Sequence, residues 1–300
     1  VYNGIINVYK EKGFTSHDVV AKLRGILKQK KIGHTGTLDP EAEGVLPVCV
    51  GKATKLCDLL TDKDKTYEAC LRLGIQTDTQ DMTGKVLKEA EVSVSVEEVK
   101  EAILSFVGDY DQIPPMYSAL KVNGKKLYEY AREGIEVERQ PRKVTIYSIE
   151  IKKIELPRVW FSVECSKGTY IRTLCNDIGE KLGCLGCMET LMRTRASVFK
   201  LENSLKLSEI EQLRDENKID TVLYPMDAMF QQMAGVVVKE KFHKLLYNGN
   251  PLSLDFLEEN DKKSKQIRVY DKANHFIGIY SWDEKKRQYQ PVKLFLPVED

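Results

Sequence analysis

The chain reads as an α+β fold, and three observations carry that reading. Alternating apolar residues mark half-buried strands: Tyr67, Ala69, Leu71 and Leu73 share one face of 66–74, and Val159, Phe161, Val163 and Cys165 share one face of a second segment. Apolar residues at helical spacing mark amphipathic helices, with Val19, Val20, Leu23, Ile26 and Leu27 in one and Ile171, Leu174, Ile178 and Leu182 in another. The two kinds of segment are mixed without the regular strand-helix-strand alternation of a parallel sheet.

Taken in order, Ile5, Ile6 and Val8 form a short strand, and Ser16 is expected to cap the helix that follows. The stretch 33–47, GHTGTLDPEAEGVLP, then forces repeated tight turns through its glycines and prolines. Asp39 precedes Pro40, which biases it toward extended backbone and mounts its carboxylate on a stiffened loop. A structural turn explains an isolated Asp-Pro equally well. A phosphate-binding Walker loop is excluded, because Lys52 is followed by Ala53 and the glycine spacing is wrong.

After the strand at 66–74, Ser95 and Glu98 form a capping box for a helix burying Val99, Ala102, Ile103 and Phe106. A stiff Pro114-Pro115 loop carrying Met116 and Tyr117 leads into 124–132, which has helix-forming content and aromatics between cations, the composition nucleic-acid surfaces use. Residues 142–156 are strand-rich. Thr169 is the expected cap of the next helix and Gly183 its stop, which puts Arg172 in the first turn, where the helix dipole disfavours a cation unless an anion offsets it. A further helix spans 205–214, capped through Ser208 and Glu211. Beyond a boundary near Gly235 come a short helix with Phe242, Leu245 and Leu246, and strands at 266–270 and 276–280. The lysine-rich stretch 258–265 is expected to be a mobile loop.

Three hundred residues at 42% hydrophobic content suffice for one large domain and a small one. No run approaches the roughly 18 apolar residues of a membrane span and no secretory leader is evident, so a cytoplasmic protein is expected. Seven scattered cysteines suit reduced, buried thiols; Cys184 and Cys187 form the lone CxxC, better suited to the core or a helix end than to zinc. A net charge of +1 gives no global sign of nucleic-acid binding. Local clusters do: Lys22, Arg24, Lys28, Lys30 and Lys31 run into the Gly33 loop, and others lie at Lys121, Lys125 and Lys126 and at Arg139, Arg142 and Lys143. A solvated face is the alternative for any one of them.

Three stretches together resemble the TruB family of tRNA pseudouridine synthases: 33–56, GHTGTLDPEAEGVLPVCVGKATKL; 65–84, KTYEACLRLGIQTDTQDMTG; and 165–183, CSKGTYIRTLCNDIGEKLG. The resemblance implies a pseudouridine synthase fold with a mixed, largely antiparallel central sheet. It makes residues 1–234 the catalytic domain, with an RNA-gripping insertion at about 111–143, and 235–300 a PUA-like β-barrel that binds RNA. It implies that Asp39 is the nucleophile, Tyr67 stacks on the target ring, Arg172 pairs with Asp39, His34 helps the base flip out and Tyr170 walls the pocket. Further substrate contacts are implied at Lys10, Gly36, Leu38, Met116 and Lys121. Two positions depart from the family pattern: Glu11 stands where a proline is usual, and Met192 where an arginine is.

The implied reaction converts a T-loop uridine of tRNA to pseudouridine, by a monomer, without a cofactor. An Asp can attack sugar or base only while ionised, and burial then demands a paired cation. Attack on the sugar carbon, attack on the ring and action as a base all remain compatible with these residues. A guide-dependent synthase acting on other RNAs, and an RNA-folding module whose chemistry is secondary, are the competing functions.

Overall fold

The computed structural model describes residues 1–258 and 264–296. A nine-stranded sheet dominates them, in the order Gly4–Lys10, Glu43–Val50, Gly186–Ala196, Lys65–Leu73, Arg158–Cys165, Arg142–Glu155, Gly108–Gln112. Ile32–His34 adds to Glu43–Val50, and Phe199–Lys200 adds to Gly186–Ala196. Every pairing is antiparallel except Gly186–Ala196 against Glu43–Val50, so the sheet is mixed and largely antiparallel, as expected.

The alternation of 66–74 works as anticipated: Tyr67, Ala69, Leu71 and Leu73 are buried in Lys65–Leu73, and they pack with Ile171, Leu174 and Ile178 of the helix Ile171–Lys181 and with Val99 and Ile103 of the helix Val96–Leu104. Ser95 and Glu98 make the anticipated capping box. A second core lies under the helices Ser16–Leu27 and Leu207–Asp215, which cover Gly4–Lys10 and Glu43–Val50.

Three caps differ from expectation. Thr15, with Asp18, caps Ser16–Leu27, because Ser16 is buried and its hydroxyl is engaged elsewhere. Tyr170 is the N-cap residue of Ile171–Lys181, since Thr169 Oγ1 donates instead to the Ser166 carbonyl. The helix Leu207–Asp215 begins after Lys206 and is boxed by Glu209, with Leu207 turned into the core.

The C-terminal part is a four-stranded sheet in the order Ala234–Val237, Gln266–Tyr270, Phe276–Asp283, Gln288–Leu294. Among the described residues its two outer strands do not pair with each other; instead the segment 252–257 bridges them, through Leu252 to Tyr289 on one side and Leu257 to Val238 on the other. It owns a core around Val269, Tyr280 and Tyr289. Its Ile279 and Phe295 belong to a different cluster with Phe199, Met229 and Phe230, so the sheet is docked on the larger part through shared packing. Most of the loop expected at 258–265 lies outside the described residues.

Candidate active site

Asp39 lies between the strands Ile32–His34 and Glu43–Val50, and its backbone is held from both sides. The Leu38 amide donates to Ser16 Oγ at 2.9 Å, and Ser16 Oγ donates to the Leu38 carbonyl at 3.3 Å. On the other side Lys10 Nζ donates to the carbonyls of Pro40 at 3.0 Å, Phe14 at 2.5 Å and Glu11 at 3.2 Å. The loop is therefore fixed by neighbours in space as well as by Pro40. Replacing Ser16 with Ala leaves the buried Leu38 amide unpaired. The expected loss is about 1–3 kcal/mol in urea unfolding, together with a fall in turnover larger than any change in RNA affinity.

Arg172, only 5% exposed, reaches Asp39 from the first turn of Ile171–Lys181. Its Nε lies 2.9 Å from Asp39 Oδ2 and its terminal nitrogen 3.4 Å from Oδ1, a two-point pairing. Two further guanidinium hydrogens go to the carbonyls of Tyr117 at 2.9 Å and Thr79 at 3.1 Å, with Asp81 Oδ2 4.0 Å from Nε. The anion that a first-turn cation requires is thus Asp39, seconded by Asp81. The Asp39 side chain stays 37% exposed, open on its far side.

Both groups line a cavity of about 430 Å3, within the usual range for small-ligand clefts. Gly36, Leu38, Tyr67 and Tyr170 line it too. Tyr67 is 7% exposed, and burial pushes its hydroxyl pKa up, so the phenol stays neutral. Tyr170 is fixed through its backbone, which exchanges hydrogen bonds with the Gln112 side chain at 2.8 and 3.0 Å.

Four of the predicted residues do not line the cavity. Lys10 has no exposed surface; it positions the loop and does not face the cavity, and burial lowers its ammonium pKa to about 8. Met116 and Lys121 flank the lining segment formed by Tyr117, Ser118 and Ala119 without joining it; Lys121 is exposed on a hairpin. His34 is half-buried at the end of the strand Ile32–His34, opposite Val48, with Nδ1 unpartnered. Burial and then the Arg193 charge lower its pKa, so its ring is neutral at pH 7.

Arg193 also lines the cavity, though its sequence context gave it no special weight. It is 1% exposed, its Nε donates to Val45 O at 2.7 Å and a terminal nitrogen donates to Gly36 O at 3.2 Å. Gly44, at φ 105°, makes the approach possible: a Cβ there would fall 2.3 Å from the Arg193 carbonyl. The available signal was a charge on the same inward face as Leu191. Lys65 also lines the cavity, its Nζ on the carbonyls of Thr61 and Lys63 and its pKa lowered by burial to about 8. One carboxylate and three cations thus line this space, an arrangement that suits a reactive anion acting on a polyanionic substrate.

Comparison with known proteins agrees. Residues 24–171 match the model described as TruB family pseudouridylate synthase (N terminal domain), and residues 172–231 match tRNA pseudouridylate synthase B C-terminal domain. A Lachnoclostridium phytofermentans protein named tRNA pseudouridine synthase B is 60% identical, over 98% of this chain and all of its own length. One of the same name from Alkaliphilus oremlandii is 52% identical over 96% of each chain. Among solved structures, a chain of a Cbf5-Nop10-Gar1 complex superposes with a TM-score of 0.75 at 26% identity, covering 98% of this chain and 85% of that one. With the Asp39–Arg172 pair at the cavity and family matches running almost unbroken from residue 24 to 231, this chain belongs to the TruB family of pseudouridine synthases.

Proposed function

We propose that this protein isomerises a uridine in the T loop of tRNA to pseudouridine, with Asp39 as the nucleophile, acting as a monomer in the cytoplasm. The observation that carries the proposal is the Asp39 carboxylate, two-point paired with Arg172 yet open to a cavity walled by Tyr67. The reaction is an internal exchange: the bond from the sugar to ring nitrogen breaks, the ring turns, a bond to ring carbon forms, that carbon's hydrogen leaves as a proton and the freed ring nitrogen takes one up. Nothing is oxidised, so a nucleophile, a closed pocket and proton handling suffice.

The target must leave its stack to enter such a cavity. His34, neutral and at the strand end that leads into the loop, supports the flip, while the Tyr67 ring supports stacking on the extruded base. Support for RNA gripping by 111–143 comes from its cation-aromatic contacts: Lys125 lies over Tyr130, and Lys126 and Arg132 lie over Tyr128, which also lines the cavity. Support for a separate RNA-binding unit at 235–300, of PUA type, comes from its own core and from the family match ending at residue 231.

Guide-free activity is favoured by the full-length identity to proteins named for tRNA, against 26% to the Cbf5 complex chain. Release of the C5 hydrogen from an unmodified tRNA transcript, with no guide RNA or partner protein, tests it. Turnover confined to the T-loop uridine is expected; turnover only on adding a guide RNA would overturn the reading. Within this assay Tyr67→Phe is expected to lose about tenfold or less, and Tyr67→Leu on the order of 10²-fold, because base-aromatic stacking contributes about 1–3 kcal/mol. Equal losses would assign the role to the hydroxyl.

A further inference from the structure

Away from the reacting groups, Cys49 and Cys57 are brought together in a way the reaction does not use. Cys49, on the strand Glu43–Val50, is fully buried and pairs across the ladder with Gly33. Cys57 opens the turn of helix Cys57–Thr61 and is only partly buried. Cross-strand partners send side chains to the same face, so Cys49 points to the side on which Gly33 would carry its own. A Cβ on Gly33 would lie 3.1 Å from Cys57 Sγ; the Cys57 sulfur therefore fills the room that this glycine leaves beside Cys49.

We propose that Cys49 and Cys57 form a peroxide-oxidisable dithiol, with Cys57 as the attacked sulfur and Cys49 as the resolving one. Three observations besides the adjacency separate this pair from the other thiols. Cys57 has solvent access, whereas the other six cysteines are buried. The neighbouring Cys49 thiol, aided by the Lys293 ammonium, lowers the Cys57 pKa from its ordinary value against the opposing effects of its own burial and Asp58, while Cys49 is pushed up. Burial raises the pKa of Cys70, Cys165, Cys175, Cys184 and Cys187, which favours inert thiols there.

The chemistry closes in two steps. The Cys57 thiolate attacks hydrogen peroxide: a sulfur-oxygen bond forms, the O–O bond breaks and hydroxide leaves with the Cys57 proton as water, which leaves a sulfenic acid. Cys49 then attacks that sulfur: the disulfide forms, the S–O bond breaks and hydroxide takes the Cys49 proton as a second water. Two thiols are oxidised by two electrons and one peroxide is reduced to two waters. The bridge ties the end of Glu43–Val50 to the helix whose last residue, Thr61, lines the catalytic cavity and accepts from Lys65 Nζ.

The test uses the full chain, reduced, freed of reductant and exposed to hydrogen peroxide, then alkylated, digested with trypsin and read by mass spectrometry. Trypsin cuts after Lys52 and Lys55, so a bridge joins separate peptides, two hydrogens lighter than their sum and released by dithiothreitol. That species is expected to form at least about tenfold faster than oxidation of any of the other five cysteines. Cys49→Ser, with Cys49→Ala as the alternative if it folds poorly, is expected to leave a Cys57 sulfenic acid that dimedone captures. Cys57→Ser is expected to leave Cys49 unmodified. Oxidation of another cysteine ahead of Cys57, or a Cys57 sulfenic acid in the parent that never closes on Cys49, would overturn the proposal.

Discussion

Arg172→Lys is expected to lower turnover on the order of 10²–10³-fold while leaving tRNA affinity within a few-fold of the parent. The guanidinium presents five hydrogens in a fixed plane, and here two nitrogens face the Asp39 oxygens, one of them also donating to the Tyr117 carbonyl, while the third donates to the Thr79 carbonyl. A lysine ammonium is a point charge with three donors on a flexible stem. It can neutralise Asp39 but cannot also hold its plane and both carbonyls, one of which belongs to the segment walling the cavity. The Tyr117 carbonyl then has no donor, and the cavity wall formed by Tyr117, Ser118 and Ala119 loosens together with Asp39. Single-turnover kinetics at saturating tRNA separate the two effects: a slowed chemical step with unchanged binding follows from lost positioning. A Lys variant reacting at the parent rate would show that charge alone is what Asp39 needs.

Much of this arrangement was legible in the sequence, and the misses share a cause. The strand Lys65–Leu73 and the helix Ile171–Lys181 could be read because their periodicity is local. Their caps could not, because tertiary contacts decide which hydroxyl is free: Ser16 is claimed by Leu38 and Thr169 by Ser166. The strand Gly186–Ala196, central to the sheet, has no clean apolar alternation because its inward face includes Arg193. At the C-terminal edge, Gln288–Leu294 contains Pro291, which an outer strand tolerates and a sequence pattern disguises. In the site, Asp39, Tyr67 and Arg172 followed from motifs, but the partners that hold them did not. Lys10 shows why: a lysine in a motif suggests a ligand contact, and only its complete burial and three carbonyl partners show it to be a brace. Arg193 is the converse, a charge that looked incidental until the fold enclosed it beside Tyr67.

The central claim, that Asp39 carries the chemistry, rests on one substitution measured two ways. Asp39→Asn keeps the size of the side chain and an oxygen for Arg172, so the loop braced by Ser16 and Lys10 is expected to hold. It removes the carboxylate proposed as the nucleophile. Binding of a T-arm RNA carrying a fluorescent base analogue beside the target uridine is expected to match the parent within a few-fold, with the same signal of base extrusion. Over the same period the variant is expected to form no pseudouridine, a loss of at least about 10⁴-fold. Pseudouridine formed by a verified Asp39→Asn preparation at anything near the parent rate would contradict the account and remove Asp39 as the nucleophile.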